Sequence, residues 1–425
     1  MNKRDSSGGA GVFGLRKFVA LGIALSLTLS LTSIKPVTLI SSGISSVLIY
    51  FISSSSPFIQ SSSAIILSNL ANGDILPLPD KQIVKSILPL LSTRCPIAKN
   101  YMLVTLSVFA NQAEKKESLY KCGVVKILLP LLSHESPLTL QKNALNIIEN
   151  LATENSNAVG MCRDGVVKHL LTILSQCQSE CQEQIIRALR YLAVSVENRI
   201  PMYKDGVVSA LLPILASPMF REDIVAALSS LSYTEENRIG MYKIGVVSKL
   251  LPLLQLESPL FQENAVLVFR NLAFVDIMKV PIYKDKIVTS LFPLLLNGTT
   301  VLCKQWVVAT FVNLAYEVEN RAPMYRDGIV AAVLPLLSAG KQIVAQEYIV
   351  RLFIYLARSK ENLNLMYSEG VVSKIIGTYQ EQFKNSTGSF KEKCRELLTI
   401  FSDIKDAQTE IEKSKIFEME KNNIF

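Results

Sequence analysis

The chain has 425 residues, of which 49% are hydrophobic and only 8% are aromatic. This composition excludes a chain that is disordered throughout, and it predicts an aliphatic core. The formal net charge is +8, but acidic residues are interspersed with the basic ones, so the sequence predicts no dense nucleic-acid-binding patch. The seven cysteines are irregularly spaced, which predicts free thiols in a reducing compartment rather than disulfides or a metal site.

The first forty-two residues allow two interpretations. Residues 1–12 are rich in Ser and Gly and are predicted to be disordered. Residues 13–42 include an uncharged stretch, 18–34, which suits either a degenerate repeat helix or a targeting or membrane segment. The Ser and Thr in this stretch favour the helix, and so does the match between residues 15–19 and residues 98–102, which begin a helix in a later repeat.

A sequence repeat occupies residues 43–405. Its anchor is a Gly-Val-Val step, or a close variant, followed by a Leu-rich run. Successive anchors lie 39 to 42 residues apart, which indicates stacked helical repeats rather than separate globular domains. The nine anchors are Gly43, Gln82, Gly123, Gly165, Gly206, Gly245, Lys286, Gly328 and Gly370.

Each repeat is predicted to contain three helices, as the one around Gly245 illustrates. Residues 237–243 form a short first helix, which Gly245 ends in the left-handed conformation. Residues 246–254 form the second helix, and residues 261–273 form the third, which follows a Ser-Pro cap. A Pro seven residues after most anchors is expected to bend the second helix. A Tyr three residues before most anchors predicts packing between repeats.

The repeated pattern is Asn-x-x-x-Met-Tyr-x-x-Gly-Val-Val, then Leu-Pro-Leu-Leu, then Ala-x-x-x-Leu-x-Asn-Leu-Ala. Over residues 43–405 it resembles the armadillo repeat family, and HEAT-type helical repeats are the structural alternative. The resemblance implies an all-α, right-handed solenoid, or superhelix, of about nine armadillo-type three-helix repeats. Residues 406–425 are charge-rich and are expected to form a capping helix or a loose tail.

In armadillo proteins the third helices line the binding groove, so the resemblance places the candidate binding residues on them. Helical periodicity separates a polar and aromatic stripe from the apolar face of each third helix. Amides can bond the backbone of an extended peptide, while aromatic residues and Arg can anchor its side chains. The candidate residues are Asn69, Tyr101, Asn143, Asn146, Asn150, Arg187, Tyr191, Asn264, Asn271, Trp306, Asn313, Tyr348, Arg351 and Tyr355.

An Asn recurs near the end of the third helix, at Asn69, Asn150, Asn271 and Asn313. In the armadillo family this Asn commonly contacts the main chain of the bound peptide. The alternative is that the amide satisfies a backbone group near the end of its own helix, which requires the same hydrogen-bonding chemistry.

The sequence predicts a non-enzymatic, cytoplasmic scaffold for protein–protein interaction. With two His and no nucleophile elbow, phosphate loop or carboxylate pair, it predicts no catalytic site, cofactor, metal or small-molecule substrate. The expected partner is a protein or an extended peptide, and nucleic acid is not expected.

Two alternative functions stay open. A nuclear import receptor of the importin alpha type would carry Trp-x-x-x-Asn pairs on successive third helices. The single Trp, Trp306, lies seven residues before Asn313, and this spacing argues against that function and a nuclear location. A membrane-tethered armadillo adaptor is the other alternative, and it depends on residues 18–34.

Overall fold

A computed structural model of the chain describes residues 56–72, 84–85, 87–92, 95–133, 135–176, 179–255, 258–296, 300–338, 343–382 and 387–416. These residues are all-helical, and no strand occurs among them. The predictions for residues 1–12 and 13–42, including the stretch 18–34, lie outside the described residues. Within the described part of the chain, no helix combines the length and apolarity needed to cross a membrane.

The chain divides into two compact units, Met1–Ala210 and Leu211–Phe425, and both are built from the same three-helix repeat. The long third helices are named α1 to α9. Those of the N-terminal unit are α1 (Pro57–Asn72), α2 (Pro96–Asn111), α3 (Leu138–Ala152) and α4 (Ser179–Val194). Those of the C-terminal unit are α5 (Arg221–Ser232), α6 (Pro259–Leu272), α7 (Val301–Ala315), α8 (Ile343–Ala357) and α9 (Gly388–Phe401). Within each unit, consecutive third helices pack against each other.

The other helices are short. The first helices are Ala113–Lys121, Asn155–Arg163, Val196–Lys204, Glu235–Lys243, Lys279–Lys284, Val318–Arg326, Lys360–Ser368 and Lys405–Ser414. The second helices are Val124–Leu128, Val166–Leu174, Val207–Leu211, Val246–Leu250, Ile287–Leu291, Ile329–Val333 and Val371–Gln382. Single 3₁₀ turns at Pro218–Phe220 and Asp276–Met278 precede α5 and the first helix Lys279–Lys284. Residues 406–425 are expected to form a cap or tail, and the first part of them, up to Ser414, lies in the helix Lys405–Ser414 and buries Ala407 and Ile411.

The residue that separates the first helix from the second is left-handed in each of these repeats. Six of the anchor glycines have φ between 79° and 89°. Lys286 takes the same position with φ 62°. A side chain in this conformation costs about 1 kcal/mol, because its Cβ approaches the following carbonyl oxygen. Glycine is therefore the favoured residue at this position, and Lys286 shows that another residue can occupy it at that cost.

A proline seven residues after the anchor ends the α-helical part of the second helix, and a separate short segment follows. In the repeat of Gly245, α-helix ends at Leu250 and a 3₁₀ segment, Leu251–Leu253, carries Pro252 near its start. The same change to a 3₁₀ segment occurs at Leu88–Ser92, Leu129–Leu132, Leu212–Ala216 and Leu334–Ser338, and a separate turn of α-helix begins at Pro293–Leu296. A proline lacks the N–H needed to continue the α-helical ladder.

Two repeats without this proline serve as internal comparisons. The corresponding residues are Thr172 and Gly377, and there the second helices run unbroken as Val166–Leu174 and Val371–Gln382. The proline therefore interrupts the second helix rather than bending it.

In several of the first helices a buried Asn joins neighbouring repeats; we call it the bridging asparagine. The Asn198 amide nitrogen donates to the carbonyl of Leu192, at 2.9 Å, and to that of Ala158 in the preceding first helix, at 3.0 Å. Asn320 and Asn362 make the same pair of bonds in the C-terminal unit. One amide thus holds backbone groups of two helices.

The recurring Tyr also links repeats. Tyr242 donates its hydroxyl to Asp285 at 2.9 Å, and Tyr283 donates to Asp327 at 2.7 Å. Burial, together with the hydrogen bond to the Asp285 carboxylate, raises the pKa of Tyr242 to about 12. These hydroxyls stay protonated near neutral pH and act as donors.

Candidate partner-binding site

A depression of about 640 Å³ lies in the C-terminal unit, near the carboxyl ends of α7 and α8. Its lining includes Asn313 on α7, and Arg351 and Tyr355 on α8. The remaining walls come from residues 274–277, which follow α6, from Val312 and Tyr316 at the end of α7, and from Glu235 and Lys279 in two of the first helices. Three of the residues that sequence analysis selected on two different helices thus meet at one concave surface.

These three residues differ in how they are held. Asn313 donates its amide to the carbonyl of Arg270 on α6, at 3.1 Å. The Tyr355 ring meets the Tyr316 ring edge to face, with centroids 5.7 Å apart. Arg351 is exposed, and within the described part of the chain it makes no hydrogen bond or ion pair. Of these three residues, Arg351 is therefore the one most available to a ligand.

Large apolar side chains stand beside Arg351 in the lining. Phe274 is 63% exposed, Ile277 is 71% exposed and Tyr316 is 55% exposed. Sequence analysis did not select them, because periodicity was applied to the helices and these residues lie in the connections between third and first helices. Bulky apolar residues where polar loop residues are expected would have been the signal.

The connections are fixed by arginines from the first helices. Arg238 donates to the carbonyls of Ser232 and Tyr233 at the end of α5, at 3.0 and 2.8 Å, and its guanidinium lies 5.4 Å from the centre of the Phe274 ring. Burial lowers the pKa of Arg238. Cations at a helix carboxyl end stabilise the exposed carbonyls there. The same contact supports the aromatic wall of the depression.

Arg321 repeats this arrangement one step along the unit. It donates to the carbonyls of Ala315 and Tyr316, at 3.0 and 2.9 Å. The Tyr316 ring also lies 4.0 Å from the Lys279 ammonium, which is 2.5 Å from an Asp276 carboxylate oxygen. Tyr316 is thus held through both its backbone and its ring, while its side chain stays half exposed.

In the N-terminal unit the predicted amide stripe of α3 bonds to neighbouring groups of the protein. Asn143 donates to the Asn100 side chain at 3.0 Å, and Asn146 donates to Ser107 at 2.8 Å, both on α2. Asn150 donates to the backbone and side chain of Asn146. Asn143 and Asn146 therefore hold α3 against α2, and Asn150 bonds within α3. A ligand would have to compete with those bonds.

The other N-terminal candidates are spread over α1, α2 and α4. Arg187 forms ion pairs with Glu183 at 2.9 Å and with Glu149 at 3.5 Å. The Tyr191 ring lies 5.5 Å from the neighbouring Arg190 guanidinium. Asn69 is exposed and Tyr101 is half-buried. None of these four residues lines the depression in the C-terminal unit.

The remaining C-terminal candidates have mixed surroundings. Asn271 is only 4% exposed and donates to the Ser232 hydroxyl at 2.9 Å, so its amide faces α5. Asn264 donates to the Leu260 carbonyl of its own helix at 3.0 Å. Trp306 is half-buried beneath the Arg270 guanidinium, 4.7 Å away, and Tyr348 is half-buried on α8. Of the Asn residues near third-helix ends, Asn150, Asn271 and Asn313 all have partners inside the protein.

No family model matches the chain. No curated protein matches it either. Among solved structures, an engineered protein from the Northeast Structural Genomics Consortium matches 90% of this chain and 94% of its own, with a TM-score of 0.76 and 20% sequence identity. Another engineered protein from that consortium matches 54% of this chain and 96% of its own, with a TM-score of 0.48 and 20% identity. The first likeness shows a shared fold, and the chain is accordingly an all-helical protein with repeat-like packing.

Proposed function

We propose that the repeats are of the armadillo type and form a right-handed superhelix. Two features support this over the HEAT-type alternative: a separate short first helix, and a left-handed residue between the first and second helices. The resemblance of the repeated motif to armadillo sequences adds to them. A right-handed stack of three-helix repeats would place the third helices along one extended surface.

We infer further that the chain is a non-enzymatic scaffold that binds an extended segment of a partner protein on its third helices. The observation that carries this proposal is the cluster of exposed apolar side chains around the unpaired Arg351. Phe274, Ile277 and Tyr316 expose apolar surface to water, while Arg238 contacts the Phe274 ring and Arg321 bonds to the Tyr316 carbonyl. An apolar patch with a few polar anchors is typical of protein-binding surfaces.

The binding surface would extend from the depression along α7 and α8. Trp306 and Tyr348 lie on these helices and offer aromatic surface to further residues of the segment. Aromatic and Arg side chains commonly carry most of the binding free energy at such surfaces. The proposal requires no cofactor, metal or small-molecule substrate.

Site-specific photocrosslinking tests this proposal. The Phe274 ring is replaced by p-benzoylphenylalanine in the full chain, which is then expressed in cells and irradiated. The matched control places the same residue at Val301, which is 53% exposed in the first turn of α7. We expect covalent protein adducts from position 274, and we expect them to disappear when Tyr316 is also changed to Ser.

The control position decides the result. Equal adducts from positions 274 and 301, or adducts that persist after the Tyr316→Ser change, would show that the depression is not the binding surface. Circular dichroism of each variant confirms that the helices are intact, so that a loss of adducts reports binding rather than unfolding.

A further inference from the structure

The cations around the depression differ in whether a carboxylate balances them. Lys279 pairs with Asp276 at 2.5 Å. Arg358 pairs with Glu396 at 3.0 Å. These two cations are neutralised within the protein and offer little to an anionic ligand.

Two further cations have carboxylates close by. Glu235 offsets the charge of Arg238, and Glu317 offsets that of Arg321. Both arginines are also bound to the helix-end carbonyls of the preceding third helix. Their donors are therefore largely used in holding the connections in place.

Arg270 on α6 and Arg351 on α8 are the cations left over. Among the described residues, neither has a carboxylate within salt-bridge distance. Arg270 lies over the Trp306 ring, with one contact of 3.3 Å to the Asn271 side-chain oxygen. Arg351 has no hydrogen-bond or ion-pair partner among the described residues. The two flank α7, on either side of the aromatic residues of the binding surface.

The N-terminal unit provides the comparison for this imbalance. Arg187 holds the position on α4 that Arg351 holds on α8, and a Tyr follows each of them four residues later. Arg187 is neutralised by Glu183 and Glu149. Glu347 holds the corresponding position four residues before Arg351, but it accepts a hydrogen bond from the Ser389 hydroxyl at 2.7 Å and forms no ion pair with Arg351. The two arginines therefore differ in whether the nearby carboxylates pair with them.

From this charge balance we infer that the partner segment is acidic: its carboxylates bond to Arg351 and Arg270, and an apolar side chain between them lies against Phe274, Ile277 and Tyr316. The inference rests on the proposed function of the same surface. Guanidinium and carboxylate groups form paired, charge-assisted hydrogen bonds, which are stronger next to apolar surface than in open water.

The helix spacing sets the spacing of the acidic residues. Two steps between packed helices cover about 16–20 Å. An extended chain spans this distance with about five or six residues. The segment we expect therefore carries Asp or Glu at both ends of such a stretch, with an aromatic or aliphatic residue between them.

Selection from a random-peptide library displayed on phage, with the full chain as bait, tests the inference. Labelled copies of the enriched peptides are then titrated by fluorescence anisotropy against the unchanged chain, Arg351→Gln and the matched control Arg187→Gln. We expect acidic–apolar peptides, a loss of about tenfold in affinity with Arg351→Gln, and little change with Arg187→Gln. We also expect affinity to fall as salt rises, because salt screens exposed charges.

Other results would overturn the acidic partner, or both the acidic partner and the proposed binding surface. Basic or neutral peptides whose binding requires Phe274 and Tyr316 would overturn the acidic partner while leaving the proposed surface in place. No enriched peptide, or only peptides unaffected by changes at Phe274, Tyr316 and Arg351, would overturn both. A dimer in light scattering that Arg351→Gln converts to a monomer would identify a second copy of the chain as the occupant, and would likewise overturn a separate acidic partner.

Discussion

Changing the bridging asparagine Asn362 to Asp replaces a buried hydrogen-bond donor with an acceptor of the same shape. Asn362 is fully buried, and its amide nitrogen donates to the carbonyls of Arg321, at 3.1 Å, and Leu356, at 3.2 Å. An aspartate would place a charged oxygen against both carbonyl oxygens. The side-chain oxygen of Asn362 has no hydrogen-bond partner among the described residues, so nothing there would compensate the charge.

The expected loss of stability follows from these contacts. Two hydrogen bonds are lost, at about 1 kcal/mol each, and the Leu356 carbonyl keeps only its bond from the Ser359 N–H, at 3.1 Å. An uncompensated buried charge adds more, so we expect a total of about 4 kcal/mol at neutral pH. Burial would raise the pKa of the new carboxyl group above its unfolded value, so the loss is present above the folded pKa. Stability should return partly as pH falls through that pKa, because the neutral acid can donate one bond.

Hydrogen exchange measured by mass spectrometry reports this effect locally. A loss of about 4 kcal/mol corresponds to roughly thousandfold faster exchange of the amides around the first helix Lys360–Ser368. Asn364→Asp is the control, since Asn364 is exposed on the same helix and should change stability by less than about 0.5 kcal/mol. Equal effects of the two changes, or no recovery at low pH, would refute the bridging role.

Three further predictions concern other parts of the repeat. Lys286→Gly should raise the free energy of unfolding in urea by about 1 kcal/mol, since it removes the side chain from a left-handed residue. A lower unfolding midpoint would contradict this account. Gly160→Ala should destabilise the chain by about 1–3 kcal/mol, because the new methyl group would overlap the Tyr120 ring, whereas Gly377→Ala, where nothing lies within 4 Å, should be tolerated in the same urea experiment. Burial raises the pKa of Cys303 to about 12, so iodoacetamide at neutral pH should label it only after unfolding, as judged by mass spectrometry.

Features that depend on local sequence could be predicted from it. The left-handed position at Gly245 follows from the need to end one helix and begin another within a few residues. The third helix around it was predicted to cover residues 261–273, and it is observed at Pro259–Leu272. The effect of the second-helix proline was predicted only partly, because a bend and a change to 3₁₀ geometry satisfy the same missing N–H.

Features of the candidate site depend on neighbouring helices, and helical periodicity does not contain that information. Asn271 and Asn313 occupy similar places at third-helix ends, but α5 covers the first while the second lines the depression. Arg187 and Arg351 likewise share a position, each with a Glu four residues before it, and only the ion pairs formed in the folded protein distinguish them. Phe274 lies in a connection, where neither helical nor strand periodicity applies.

The bridging asparagines determine where the chain can be cut into pieces that still fold. Asn198 bonds to Leu192, in the helix just before it, and to Ala158, one repeat earlier. A piece that began with Asn198's own helix would keep the amide and lose both acceptors. Shortened versions of this protein for crystallisation or binding studies should therefore not begin at a first helix, and a start that includes the preceding third helix keeps the Leu192 acceptor.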